Sequence, residues 1–198
     1  AQAQFRAVAA WAAPAARGRR RRRAALFSLM LSPIISYEGR AFTGAVCDFE
    51  DLGGVFGDAV LGGEFSVAFT ARWDSFQRWS RIIDFGNGPG ESNIFIGNRA
   101  NQSTLVFHVW VGTKEYSLQA YDAIKIGATN RYLCTVNSKG HMRIYVDGQL
   151  VRESDNGAPP KCLARRQLYV GRSAWDRDAP FHGMIADLGV WNAALDGD

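Results

Sequence analysis

The sequence predicts an all-β domain, a sandwich or a barrel, on three observations. Aromatic residues are abundant among the 198 residues, with 12 Phe, 6 Trp and 6 Tyr, and glycine reaches 21. Short segments of alternating apolar and polar residues recur, separated by turn residues about every 8–12 positions. The body of the chain shows no sustained helical period. Its length is sufficient for one domain with a sizeable core.

The predicted strands follow one another along the body. The first, 64–73, reads EFSVAFTARW and places Phe65, Val67 and Phe69 on one face. Two hairpins are expected in CTVNSKGHMRIYVDGQLV, with turns at 138–140 and at Asp147-Gly148. Asp-Gly favours the type I′ turn, which needs positive φ at both central residues. Further strands are predicted at 78–86, 92–98, 103–112, 114–121, 130–138, 166–172 and 182–191.

Residues 1–36 differ from the body and are predicted to form an irregular basic arm or presequence ahead of a domain at 37–198. Residues 1–23 carry seven arginines and no acid. Of the 23 basic residues, 16 therefore remain against 19 acidic ones, so residues 24–198 carry a formal charge of −3. This charge gives the body no reason to prefer nucleic acid. The apolar run 24–35 is too short to span a bilayer.

The arm suggests a destination and a partner. An Ala/Arg-rich, acid-free segment followed by paired arginines and a short apolar run is similar to a two-part presequence for the plastid thylakoid. Secretion is the alternative. If the arm is retained, five arginines are expected to contact acidic groups of a membrane-associated assembly, with the run 24–35 in an apolar groove. These arginines are Arg19, Arg20, Arg21, Arg22 and Arg23.

Four segments, taken in order, resemble the laminin-G-like branch of the concanavalin A-like lectin/glucanase superfamily. They are FSVAFTARW, RIIDFGNG, MRIYVDGQLV and LYVGRSAWDRDAPFHGMIADLGVWNAAL, and the resemblance extends over about residues 37–195. It implies an antiparallel two-sheet jelly-roll sandwich. Alternating side chains can fill the space between two such sheets, about 10 Å apart. They are Phe65, Val67, Phe69, Ile83, Phe85, Ile94, Ile96, Val106, Ile144, Val146, Leu168 and Val170.

The sequence does not predict an enzyme. The glucanases of the superfamily need two facing carboxylates, usually in an E-x-D-x-x-E motif, and no such motif occurs here. The closest acid pairs are Asp48/Glu50 and Asp176/Asp178, of which the second is expected to be solvated. Ser173 does not lie in a G-x-S-x-G elbow. The three histidines (His108, His141 and His182) are scattered, and GNGPG lacks the Lys-Ser/Thr of a phosphate-binding loop.

Two kinds of binding site are candidates. Oxygen-bearing side chains surround the turn DFGNGPGESN and could hold Ca²⁺; the alternative is a wide hairpin loop whose polar side chains cap the backbone. A sugar would need an aromatic platform with polar edges. Trp175 with Asp176, Arg177 and Asp178 offers one, unless Trp175 packs within the fold, and Trp110 with Tyr116 offers another. The calcium candidates are Asp84, Asn87, Glu91 and Asn93.

The function expected from the sequence is a non-catalytic binding or scaffold module. In this interpretation it contacts protein and is a peripheral subunit of a larger, organellar membrane complex. The alternative is a lectin-like domain that binds glycans, and a glucanase ranks third. The cysteines are Cys47, Cys134 and Cys162, without the CxxC spacing of metal sites, so one disulfide with a free thiol and three free thiols both remain open.

Overall fold

The computed structural model describes residues 32–196. These residues form short strands and a single helical turn. In chain order the elements are β1 (Ile35–Thr43), β2 (Glu50–Asp51), α1 (Gly53–Phe56), β3 (Val60–Leu61), β4 (Phe65–Trp73), β5 (Arg81–Gly86), β6 (Ile94–Asn98), β7 (Leu105–Val111), β8 (Lys114–Ala120), β9 (Thr129–Val136), β10 (Met142–Val146), β11 (Gln149–Ser154), β12 (Leu163–Ala164), β13 (Gln167–Val170) and β14 (His182–Trp191).

Two six-stranded antiparallel sheets pack face to face. The first sheet has the order β1-β14-β4-β9-β10-β11, and the second has the order β2-β13-β5-β6-β7-β8. A two-stranded ribbon of β3 and β12 accompanies them. The predicted all-β, two-sheet sandwich is therefore confirmed.

One apolar cluster fills the space between the sheets. It contains ten of the twelve side chains predicted for the core. Val146 is only partly buried, and Val106 is fully buried but lies outside this cluster. At one end of the core, the Trp73 ring meets the edges of Tyr132 and Phe181 at centroid distances of 5.6 and 5.3 Å.

The hairpin turns follow their sequence signals. Asp147 and Gly148 have φ values of 50° and 80°, the double positive φ that the type I′ turn requires. The Asp147 carboxylate accepts hydrogen bonds from the Arg131 N–H at 2.8 Å and from Asn130 Nδ2 at 2.7 Å. The turn at 138–140 is closed by Gly140, at a φ of 83°.

The first strand begins earlier than the predicted domain start at residue 37. Ile35 is fully buried in the core and pairs with Val190 of β14. The end of the apolar run 24–35 therefore packs inside the sandwich rather than in the groove of a partner. Arg19–Arg23 lie outside the described residues. Among residues 32–196, no helix is long and apolar enough to cross a membrane.

Candidate functional site

Strand register builds a polar and aromatic row across the outer face of the second sheet, the surface turned away from the core. Tyr169, Asp84, Phe95, His108 and Ser117 are successive cross-strand partners from β13 to β8. Their sequence neighbours on these strands point inward, because side chains alternate along a strand. Trp110 and its partner Glu115 form the next row on the same face.

The loop 171–181, between β13 and β14, crosses this face. The Ala174 N–H donates a hydrogen bond to Asp84 Oδ2 at 3.0 Å, which fixes the loop to the middle of the sheet. Trp175 then lies over the sheet, with its ring centroid 5.8 Å from that of Phe95 and 6.1 Å from that of Trp110. Both tryptophans are only partly buried. The loop thus brings two aromatic rings side by side at the surface.

A buried arginine lies beside Phe95 and Trp175. The Arg81 guanidinium lies 3.8 Å from the ring centroid of Phe95 and 5.8 Å from that of Trp175. Its Nη2 donates to Asp178 Oδ2 at 2.8 Å, while Nε lies 3.7 Å from Asp84 Oδ2. Burial lowers the pKa of Arg81, and burial raises the pKa of Asp84 to about 6. The two opposite charges compensate each other where water is excluded.

His108 connects the buried part of the face to its exposed edge. Its Nε2 lies 2.8 Å from Ser117 Oγ, and its Nδ1 lies 2.7 Å from Glu115 Oε1. Burial lowers the pKa of His108, whereas its hydrogen bond with Glu115 lowers the pKa of that carboxyl group. His108 therefore lies between a carboxylate and a hydroxyl on the face that also carries Trp110.

The structure separates the two residues of one predicted platform. Trp110 lies on the outer face, but Tyr116 pairs with Val109 and packs against the core between the sheets. Paired residues of neighbouring strands point to the same face, and Trp110 is paired with Glu115. Tyr116, the residue after Glu115, therefore points to the opposite face. Tyr116 therefore cannot share a ligand surface with Trp110.

The other predicted platform is partly assembled. Trp175 does pack against the fold, through Phe95, yet the residue is only partly buried. Asp176 and Arg177 are exposed. The expectation that Asp178 is solvated is wrong: its side chain is 11% exposed and binds Arg81 as well as Ser173 Oγ, which donates at 2.9 Å.

Three of the four calcium candidates use their side chains in other contacts, and the fourth, Glu91, contributes its backbone. Asp84 is fully buried, accepts a hydrogen bond from Asn93 Nδ2 at 2.8 Å and faces Arg81. Asn87 accepts from the Arg166 N–H at 2.9 Å and thereby caps neighbouring backbone. The Glu91 carbonyl closes the loop by accepting from the Asn87 N–H. Within 32–196, no group of three His, Cys, Asp or Glu side chains could hold a metal ion. These contacts favour the capped hairpin, and calcium stays a prediction.

The acid pairs considered for catalysis also have structural partners. Asp48 and Glu50 both bind Arg40. Hydrogen bonds from Thr43 and from Arg40 lower the pKa of Asp48 to about 2. These two carboxylates thus connect β2 and the residues just before it to Arg40 of β1.

Sequence reasoning missed the central residues of the face. Arg81, Phe95 and Glu115 were not singled out, and His108 was considered only as one of three scattered histidines. Phe95 within NIFIG and His108 within LVFHVWV alternate with inward-facing residues, which was the available signal for those two. Arg81 shares the outer face with Asp84, three positions further on, because the strand register shifts between Arg81 and Ile83. The strand order that makes them neighbours could not be read from those segments alone.

The fold is a two-sheet β-sandwich with a polar and aromatic outer face, and comparison with known proteins shows which superfamily it belongs to. The family model for the concanavalin A-like lectin/glucanases superfamily, Laminin_G_3, matches residues 53–198. The chain therefore belongs to this superfamily, which confirms the resemblance seen in the sequence. None of the curated proteins compared with the chain matches it.

Solved structures share the fold at low sequence identity. The carbohydrate-binding module CBM40 of the Ruminococcus gnavus IT-sialidase, bound to α2,3 sialyllactose, superposes with a TM-score of 0.71 at 15% identity, covering 84% of this chain and 96% of that one. Domain 4 of the Geobacillus stearothermophilus arabinanase AbnA, with arabinotriose, gives 0.62 at 16%, covering 84% and 82%. Mouse laminin α1 domains LG4-5 give 0.60 at 16%, covering 82% and 44%.

Proposed function

We propose that this protein is a non-catalytic carbohydrate-binding module whose glycan lies on the outer face of the second sheet. The observation that carries the proposal is a pair of partly exposed tryptophans, Trp110 and Trp175, whose ring centroids lie 6.1 Å apart. Sugar rings have apolar faces that stack on such aromatic surfaces, while their hydroxyls need polar groups at the rim. Glu115 and Ser117 supply that rim, and His108 fixes both.

The chemistry of the carboxylates supports binding without hydrolysis. A glycosidase needs one carboxyl group that can donate a proton and a second one facing it across the scissile bond. Asp178 is engaged with Arg81, and Asp48 and Glu50 are engaged with Arg40. Asp84 is fully buried beneath the loop 171–181 and cannot reach a substrate.

The solved neighbours favour the lectin-like alternative over the protein scaffold. Two of them are carbohydrate-binding domains whose structures hold sialyllactose or arabinotriose. Membership of an organellar membrane complex, a plastid or secreted location and a partner of Arg19–Arg23 remain predictions from the sequence.

The test is a glycan array followed by calorimetry with the glycans that bind. We expect Trp110→Ala and Trp175→Ala each to weaken binding by about tenfold or more, since a stacked ring contributes roughly 1–3 kcal/mol. Tyr121→Ala is the matched control, because Tyr121 is an aromatic residue that is 65% exposed outside this face. Equal binding by all three variants would refute the location of the site, and hydrolysis of a bound glycan would refute the non-catalytic assignment.

A further inference from the structure

Among residues 32–196, the Arg172 side chain contacts two aromatic rings. Its guanidinium lies 4.6 Å from the ring centroid of Phe49 and 5.3 Å from that of Tyr169. The two rings meet edge to face at 5.6 Å. Beyond these ring contacts, Arg172 makes no hydrogen bond or ion pair with any residue of 32–196. Its N–H donors are therefore open to a ligand.

The backbone beside Arg172 is fixed. Gly171 has a φ of 80°, donates its N–H to the Ile82 carbonyl at 3.1 Å and accepts from the Phe181 N–H at 2.9 Å. A side chain at this position would lie 2.7 Å from the ring of Phe42. Fixed backbone and stacked guanidinium mean that little conformational entropy is lost when a ligand binds Arg172.

Three other arginines of this region are unsuited to the same task. Arg78 already donates Nη1 to the Arg177 carbonyl at 3.1 Å. Arg81 is 3% exposed and already binds Asp178, so no ligand anion can reach or neutralise it. Arg177 is exposed and has no ring to order it. Arg172 combines access, order and unused donors.

We propose that Arg172 binds the carboxylate of an acidic sugar, so that the module selects acidic over neutral glycans. A guanidinium presents paired N–H groups that match the two oxygens of a carboxylate. Arg172 is three residues from Trp175, so their Cα atoms are at most roughly 11 Å apart. A short oligosaccharide can reach both. This inference rests on the proposed glycan-binding function and adds a charge preference to it.

The test compares acidic glycans with neutral counterparts by calorimetry at low salt. The pairs are 3′-sialyllactose with lactose, and trigalacturonate with its methyl ester, which distinguish a sialic acid from a uronic acid as the source of the carboxylate. We expect the wild type to prefer one acidic member by roughly tenfold. Arg172→Gln should remove the preference and leave neutral binding unchanged, Arg172→Lys should restore it only in part, and Arg177→Gln should keep it.

The possible outcomes distinguish a failure of the Arg172 proposal from a failure of the proposed glycan-binding function. Neutral binding that depends on Trp110 without an acidic preference, or a preference that survives in Arg172→Gln, overturns the role of Arg172 and leaves the proposed function intact. Acidic binding that depends on Arg172 but not on Trp110 supports the subsite and overturns the platform. Absence of binding by every glycan overturns both.

Discussion

Replacing Arg165 with Met should destabilise the domain, because this buried guanidinium holds four backbone carbonyls. Arg165 is 0% exposed and has no carboxylate partner among residues 32–196. Nε donates to the Ser92 carbonyl at 2.9 Å and Nη1 to that of Leu61 at 2.6 Å. Two longer bonds, both 3.3 Å, reach the carbonyls of Leu163 and Lys161. One side chain therefore joins the β3–β12 ribbon to the loop before β6.

The expected loss of unfolding free energy is the contribution of these hydrogen bonds minus the cost of burying the charge. Two short charged hydrogen bonds at about 2 kcal/mol each and two long ones at about 1 kcal/mol each total about 6 kcal/mol. Burial lowers the pKa of Arg165 from 12.5 to about 10. That shift corresponds to a desolvation cost of about 3 kcal/mol, which Met would not incur. The expected net loss is therefore about 3 kcal/mol of unfolding free energy.

Urea unfolding of wild type, Arg165→Met and Arg166→Met measures this loss. Arg166 is the adjacent, exposed arginine, and within the described part of the chain only its backbone N–H is engaged, with Asn87. We expect the control to stay within about 0.5 kcal/mol of wild type. Loss of less than about 1 kcal/mol in Arg165→Met, with an unchanged dependence on urea, would show that water or rearranged backbone replaces the four bonds.

Two further predictions concern buried titratable groups. Burial raises the pKa of Asp84 from 3.8 to about 6, so its contribution to stability is fully present below pH about 4 and is lost as the pH rises through about 6. Relative to Asp84→Asn, the wild type should therefore gain up to about 3 kcal/mol between pH 7 and pH 4, measured by urea unfolding; a difference that does not vary with pH would contradict this. Iodoacetamide should label the exposed thiols and spare Cys134, because Cys134 is buried and burial raises the pKa of its thiol. Mass spectrometry of the intact protein measures the labelling, and modification of Cys134 at the same rate as the exposed thiols would refute its burial. The exposed thiols are Cys47 and Cys162.

Much of the fold was determined locally, by residues that act within a few positions of one another. Asp147-Gly148 specifies its turn because few other pairs adopt two consecutive positive φ values at low cost. Phe65, Val67 and Phe69 define an inner face because alternate side chains of a strand share one side, and all three are fully buried.

The candidate site was decided by contacts between distant parts of the chain. The sequence indicated Trp110 and Trp175 separately, but only the loop 171–181 brings the two rings together. Trp110 and Tyr116 looked equivalent until the register placed them on opposite faces.

The environments of the charged side chains were the hardest feature to predict from the sequence. Arg81 and Asp178 are 97 positions apart and form a buried ion pair, while Arg165 is buried without any carboxylate among its partners. Whether an arginine is solvated, paired or buried depends on which segments cover it. The environment of an arginine is therefore set by the packed tertiary structure and cannot be predicted from the residues next to it in the sequence.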